Sequence, residues 1–360
     1  MKNRLLVFGL LLCQCLALMA GQSFGADTVE VSQNIQKLRV LQFNTWSEGV
    51  VVKGGQEGII KTIETVQPDI LLLQEIRGQK FIDWLIDYFK SQGITYYGYS
   101  LNISTAVMSK YPIRSVRSSD ELGRDSYAFV KAIVAIGDQE LACYSVHLDW
   151  KHLPYYNVRG FDGQSSTRPY ATIKRLSRVQ DVLAENNLSR RPQEVQALIA
   201  DARLECDSNR LVILGGDFNE PSFQDWTRET RHIRDHHGLV VPWTSTSMLH
   251  QTGFVDCYRS LYPDPVTHPG FTCNAGNQSA AKEDLYWAYG VDDRERIDLN
   301  FYYPDERLRL TDVFIVGPRE DFYDGRIQIQ QTDDRIMTPD CVWPSDHKAV
   351  LSEYELLINR

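Results

Sequence analysis

Short runs of β-branched and aliphatic residues recur along this chain, separated by stretches with helical spacing. The strand-like runs are Leu38–Asn44, Ile70–Gln74, Ala106–Ser109, Phe129–Ile136, Leu141–His147, Leu211–Asp217, Arg296–Tyr302 and Val313–Val316. Between them, Ile59, Ile60, Ile63 and Val66 predict one helix face, and Ile173, Leu176, Val179 and Leu183 a second. Val195, Leu198, Ile199 and Ala202 predict a third, with Pro192 at its start, where a missing N–H costs nothing. Interleaved strands and helices, without repeat, low-complexity tract or Pro/Gly/Ser linker, predict one layered α/β or α+β domain. Its 360 residues, 43% hydrophobic, suffice for a sizeable core.

The first residues stand apart from that pattern. Lys2 and Arg4 precede an apolar run from Leu5 to Ala20, and small residues follow at Gly21, Ser23, Gly25 and Ala26. This order predicts a signal peptide over 1–26, a mature domain over 27–360, and a secreted or periplasmic protein. The run is short for a membrane span, and nothing later is apolar enough for one, so the mature protein is expected to hold no stable membrane span. Loss of Lys2 and Arg4 takes the formal charge from -9 to -11. An acidic protein without a Lys/Arg run gains nothing from bulk attraction to a polyanion, so nucleic acid would need a local basic surface. Past the leader, Cys143, Cys206, Cys257, Cys273 and Cys341 make an odd count. Cys257 and Cys273 flank one loop and are the expected disulfide pair, and the lack of a C-x-x-C argues against structural zinc.

Polar groups collect at the ends of the apolar runs. Asn44 closes one, Gln74-Glu75 another with Arg77 two residues on, His147 a third, and Asp217-Phe218-Asn219 a fourth. Asp298 opens a run and Ser345-Asp346-His347 precedes the last strand. A single polar strand end is ordinarily where the chain meets water. The set is different: oxygen donors for a hard cation, two histidines for proton or phosphate work, and an arginine for an anion.

The ordered series Phe43-Asn44, Leu73-Gln74-Glu75, His147-Leu148, Gly216-Asp217-Phe218-Asn219, Arg296-Ile297-Asp298 and Ser345-Asp346-His347 resembles the endonuclease/exonuclease/phosphatase superfamily. That group includes DNase I, abasic-site endonucleases, neutral sphingomyelinases and inositol polyphosphate 5-phosphatases. The resemblance runs from about Leu38 to the C-terminus. It implies an α+β, four-layer αββα sandwich with a metal site at one rim of its two sheets. It also implies Mg²⁺ (or Mn²⁺) held by Glu75, with Asn44 and Asp346 near the ion or its waters. Asp217 and Asn219 would orient the attacking water and hold phosphoryl oxygens, Asp298 would partner His347, His147 would face the leaving group, and Arg77 would contact phosphate. The expected activity is hydrolysis of phosphate esters, with a small or head-group substrate ahead of an extracellular DNase I-like endonuclease.

Two features depart from the family pattern. Trp46 stands where abasic-site endonucleases carry an acidic residue, and no glutamate is evident to support His147. The segment Leu122–Tyr127 resembles a DNA-contacting loop of DNase I. Stretches near 149–168 and 222–294 read as insertions, rich in aromatics, Pro and Gly with little periodicity. Most of their aromatics are expected to pack the insertions down, with Trp150, just after His147-Leu148-Asp149, the candidate for a substrate wall. His232 and His236, four apart beside Arg231, Arg234 and Asp235, read as a solvated helix face rather than a zinc site. Asn102, Asn187 and Asn277 lie in N-x-S sequons.

Overall fold

The computed structural model describes residues 33–122, 128–164, 167–329 and 331–359. The expected signal peptide over 1–26 and positions 123–127 of the segment likened to a DNase I loop lie outside them. In chain order the strands begin with β1 (Gln33–Asn44), β2 (Ile70–Gln74), β3 (Tyr97–Tyr99), β4 (Thr105–Ser109) and β5 (Ile113–Ser118). Next come β6 (Phe129–Ile136), β7 (Gln139–His147), β8 (Leu211–Asp217), β9 (Val255–Asp256) and β10 (Asp298–Tyr302). The series ends with β11 (Leu308–Val316), β12 (Glu320–Tyr323), β13 (Arg326–Ile329), β14 (Ile336–Met337) and β15 (Ala349–Asn359).

Two sheets form the centre. One is seven-stranded in the order β14-β11-β15-β1-β2-β4-β3, and the other six-stranded in the order β5-β6-β7-β8-β10-β9. Helices Gly55–Val66 and Gln79–Ser91 cover the first sheet, and helices Arg191–Asp207 and Thr244–Gln251 cover the second. The fold is α+β, a four-layer αββα sandwich of the DNase I kind. Burial explains the strand composition. Ile70–Gln74 and Leu211–Asp217 are buried at every position, because each lies mid-sheet with one face on the other sheet and one on helices. Their apolar runs are continuous rather than alternating, and each fully buried aliphatic side chain contributes roughly 1.5–3 kcal/mol.

Two glycines make room near the end of β8. A Cβ at Gly215 would stand 2.2 Å from Asn300 Oδ1, and one at Gly216 only 1.8 Å from the Val146 carbonyl oxygen. The glycine pair before Asp217 is therefore a packing requirement. A buried polar seam crosses the sandwich here. The Gln42 amide donates to Gln74 Oε1 and to Asp298 Oδ1, both at 2.8 Å, and the Gln74 amide donates to Ser145 Oγ at 2.9 Å.

The stretches near 149–168 and 222–294, read from the sequence as insertions, fold onto one another. Tyr155, Tyr156, Phe161, Trp226, Val241 and Trp243 share one apolar cluster. Buried Arg159 pairs with Glu295 at 2.8 Å, and Glu295 also accepts the Trp226 indole N–H at 3.1 Å.

Several expectations are corrected. The face proposed from Ile173 to Leu183 is not one helix: the helix begins at Val179, and Ile173 is an exposed residue of an extended stretch. His232 and His236 lie on irregular backbone, broken by left-handed Arg234, Asp235 and His237. His236 is no solvated group; it is 2% exposed and stacks on Trp226 at 3.8 Å between centroids. Cys257 and Cys273 are free thiols, as are Cys143, Cys206 and Cys341. The Cys257 thiol lies in the core between the sheets against Tyr354 Oη, whereas Cys273 hydrogen-bonds Asn274 Oδ1.

Burial, aided by the Arg159 and Arg234 charges, pushes the His236 imidazole from 6.5 down to about 2. In the unfolded chain it takes a proton near 6.5 and in the folded chain it does not, so stability falls as pH drops below that value. Between pH 6.5 and 5 the loss is about 2 kcal/mol. Denaturant titrations at the two pH values should show a smaller drop for His236→Phe, and an unchanged drop refutes the assignment.

Candidate active site

The pocket forms where β1, β2, β7 and β8 end and antiparallel β10 begins, at one rim of the sandwich beside the loop that leads into β15. Register brings the side chains together: Asn44 pairs with Gln74 across β1 and β2, His147 with Asp217 across β7 and β8, and Asp217 with Asp298 across β8 and β10. Glu75, His147, Asp217, Asn219, Asp346 and His347 line a pocket of ≈ 410 Å³. Asp298 and Asn44 sit behind them, fully buried.

His347 and Asp298 form the firmest contact, Nδ1 to Oδ2 at 2.8 Å. Asp298 Oδ1 is already occupied by the Gln42 amide, so the carboxylate has no freedom to turn. Burial by itself would push the His347 imidazole down, but the surrounding Asp298 and Asp217 carboxylates hold it well above its ordinary value. Asp217 Oδ2 lies 3.8 Å from Nε2 of both His347 and His147, and accepts from Asn44 Nδ2 at 3.0 Å. Its Oδ1 accepts the Asn219 N–H at 2.8 Å.

Backbone strain marks the same place. Trp46, Ser47 and Glu48 have φ of 47°, 57° and 60°, and Glu75 and Asn219 have 57° and 48°. Non-glycine residues in this left-handed region are uncommon and collect where geometry is imposed by function. The left-handed turn wraps the Glu75 carboxylate: Ser47 N–H donates to Oε2 at 2.8 Å and Asn44 Nδ2 to Oε1 at 3.3 Å.

The donor set suits a hard divalent cation. Glu75 and Asp346 crowd two carboxylates together, and Asp346 Oδ1 is buried with no hydrogen-bond donor. Burial, with the Glu75 charge adding, pushes the Asp346 carboxyl up to about 6, against the pull of His347 and Arg168. A closely spaced trio of Asp217, Asp298 and His347 also has the composition of a metal site. Its Asp298–His347 contact is already a hydrogen bond, which leaves Glu75 and Asp346 as the carboxylates freer to meet a divalent cation. Asn44 lies beside this pair: its oxygen accepts the Trp46 N–H at 3.0 Å, and its amide nitrogen bridges Glu75 and Asp217.

Arg77 is exposed and does not line the pocket; its backbone N–H donates to Glu48 Oε1. Three groups escaped the sequence reading. Ser104 Oγ meets His147 Nδ1 at 2.8 Å, in the place sought for a supporting glutamate. Gln42 braces Asp298. Arg168, from the first insertion, lines the pocket with Trp46, Trp150 and Trp287. Of the sequon asparagines, Asn102 and Asn277 are buried: Asn102 Oδ1 caps Ser104 and Thr105, and Asn277 Nδ2 holds the Trp343 and Ser345 carbonyls.

A model of the endonuclease/exonuclease/phosphatase family matches residues 41–347. The chain belongs to that family. An uncharacterized protein of Caenorhabditis elegans is 27% identical over 339 residues, covering 89% of this chain and 92% of its own. Among solved structures, D. rerio TDP2 complexed with a single-strand DNA product has TM-score 0.50 at 15% identity, covering 88% of this chain and 98% of that one. An AP endonuclease from Archaeoglobus fulgidus has TM-score 0.50 at 16% identity, with the same coverage. At such identities the likeness concerns the fold.

Replacing one of the crowded carboxylates should relieve repulsion when no cation is bound. In chelator at pH 7.5, Asp346→Asn should raise the unfolding midpoint by a few degrees, worth about 1–3 kcal/mol. A lower midpoint than wild type in differential scanning calorimetry contradicts this charge arrangement.

Proposed function

We propose that the chain is an exported, Mg²⁺- or Mn²⁺-dependent hydrolase of phosphate esters, acting on a small or head-group substrate. The observation that carries this reading is the convergence of a carboxylate-held imidazole, a second histidine, Asp217 and the Glu75/Asp346 pair in one pocket. Export is supported by the charged, then apolar, then small-residue order of positions 1–26. No helix among the described residues is long and apolar enough to cross a membrane.

A cation bound by Glu75 and Asp346 would supply Lewis-acid polarisation of a phosphoryl oxygen. The chain's own groups account for the remainder. Hydrolysis joins a water oxygen to phosphorus and breaks the phosphorus–oxygen ester bond. Asp217 Oδ2, between the two imidazoles, is placed to take the proton of that water. Asn219 spends one N–H on the Leu148 carbonyl at 3.0 Å, leaving its other N–H and its oxygen for the water or a phosphoryl oxygen. Protonated His347, fixed by Asp298, donates toward charge growing on the phosphoryl oxygens. His147, oriented through Ser104, is placed to give a proton to the leaving oxygen.

Three tryptophans in the pocket wall support a compact organic substituent on the phosphate, and the net charge of -9 weighs against a long polyanion. Assays of bis-p-nitrophenyl phosphate, sphingomyelin, inositol phosphates, plasmid DNA and RNA separate these classes, and preference for the nucleic acids replaces the small-substrate reading with a nuclease. EDTA should abolish turnover, and Mg²⁺ or Mn²⁺ should restore it; full activity after exhaustive chelation overturns the metal dependence. Asp217→Ala and His347→Ala should each lose ~10²–10⁴ in kcat with the circular dichroism spectrum unchanged. Normal turnover in Asp217→Ala removes its proposed part in proton transfer.

A further inference from the structure

We propose that Arg168 is the phosphate-binding arginine of this pocket, carried in by the first insertion and held in place by Trp287 of the second. The inference rests on the phosphoesterase reading and names the residue that recognises the anion.

The pocket presents Glu75, Asp217 and Asp346 to an incoming phosphate, so like charges oppose binding at short range. Among the described lining residues, Arg168 is the one arginine or lysine. Its guanidinium carbon lies 3.4 Å from the Trp287 ring centroid, a close cation–π contact. Nη1 donates to the Asp284 carbonyl at 2.6 Å. A guanidinium has five N–H donors in a planar fork, so this bond leaves most of them for a ligand.

The platform beneath it is firm. Tyr170, two residues on, donates its backbone N–H to the Trp287 carbonyl at 2.8 Å. The Trp287 ring packs against Tyr170 at 5.4 Å and Tyr156 at 6.5 Å between centroids. Both faces of the contact thus come from the aromatic cluster that joins the insertions. An arginine already restrained on a ring loses less freedom when it grips an anion, and its fork matches two phosphoryl oxygens at once. Arg77 has none of these features.

The test titrates inorganic phosphate into the full mature chain by calorimetry, and measures KM and kcat for bis-p-nitrophenyl phosphate separately. Arg168→Ala should weaken phosphate binding about tenfold or more, as expected for losing charge-assisted hydrogen bonds. It should raise KM more than it lowers kcat. Arg168→Lys should recover only part of the affinity, because an ammonium cannot bind two oxygens in a fixed plane. Trp287→Phe keeps a ring beneath the guanidinium and should bind phosphate more tightly than Trp287→Ala. Phosphate affinity unchanged in Arg168→Ala, or lost in Arg77→Ala in its place, overturns the proposal. A wild-type chain that binds phosphate through Arg168 yet hydrolyses no ester leaves this inference standing and sinks the phosphoesterase reading. Turnover that survives Arg168→Ala with an unaltered KM does the reverse.

Discussion

The hydrogen bond between Asp298 and His347 is buried where the two sheets meet, and much of the architecture serves to keep it there. A carboxylate removed from water is costly unless its oxygens are satisfied. Here one oxygen takes the imidazole and the other takes Gln42, which reaches across from the facing sheet. Gln42 in turn is tied to Gln74, and Gln74 to Ser145, so the pair belongs to a seam that crosses the sandwich. Gly215 leaves room for Gln42 of the facing sheet, whose Cβ a side chain there would meet at 3.2 Å. Reactivity at the rim and packing in the interior are thereby one problem, solved by the same residues.

The sequence displayed the strands better than the helices, for a reason visible in burial. β2, β6 and β8 coincide with their predicted runs from end to end, because a strand buried along nearly its whole length reads as an almost unbroken apolar run, with Gln74 and Asp217 only at the closing ends of β2 and β8. β5 went unrecognised: its residues are mostly exposed or half-buried, at the edge of its sheet. Helix Gln79–Ser91 was legible and overlooked, since Phe81, Ile82, Leu85 and Phe89 follow helical spacing and form its buried face. In the Ile173–Leu183 pattern Leu176, Val179 and Leu183 do pack on the aromatic cluster, but Ile173 is exposed and the helix starts only at Val179, so the shared spacing joined residues of two different backbone segments.

In the candidate site, the residues that carry charge at strand ends were readable, because short motifs bind type and position together. Those whose part depends on distant neighbours were not. Ser104 looks like any serine until the fold sets it against His147, 43 positions away. Arg168 had no motif around it, while Arg77 had the motif and lies outside the pocket. The stretches near 149–168 and 222–294 stood out by composition, but their mutual packing, which supplies a pocket wall, is a tertiary fact with no local signature.

The pairing of β1 with β15 joins the first described strand to the last over ten successive residue partners, from Gln33 opposite Asn359 to Gln42 opposite Val350. His347 lies just ahead of β15 and Asn44 closes β1, so this one pairing holds two members of the candidate site at once. Loosening it would unseat the imidazole from Asp298 and the Asn44 amide from Asp217 together, whatever the state of the other strands.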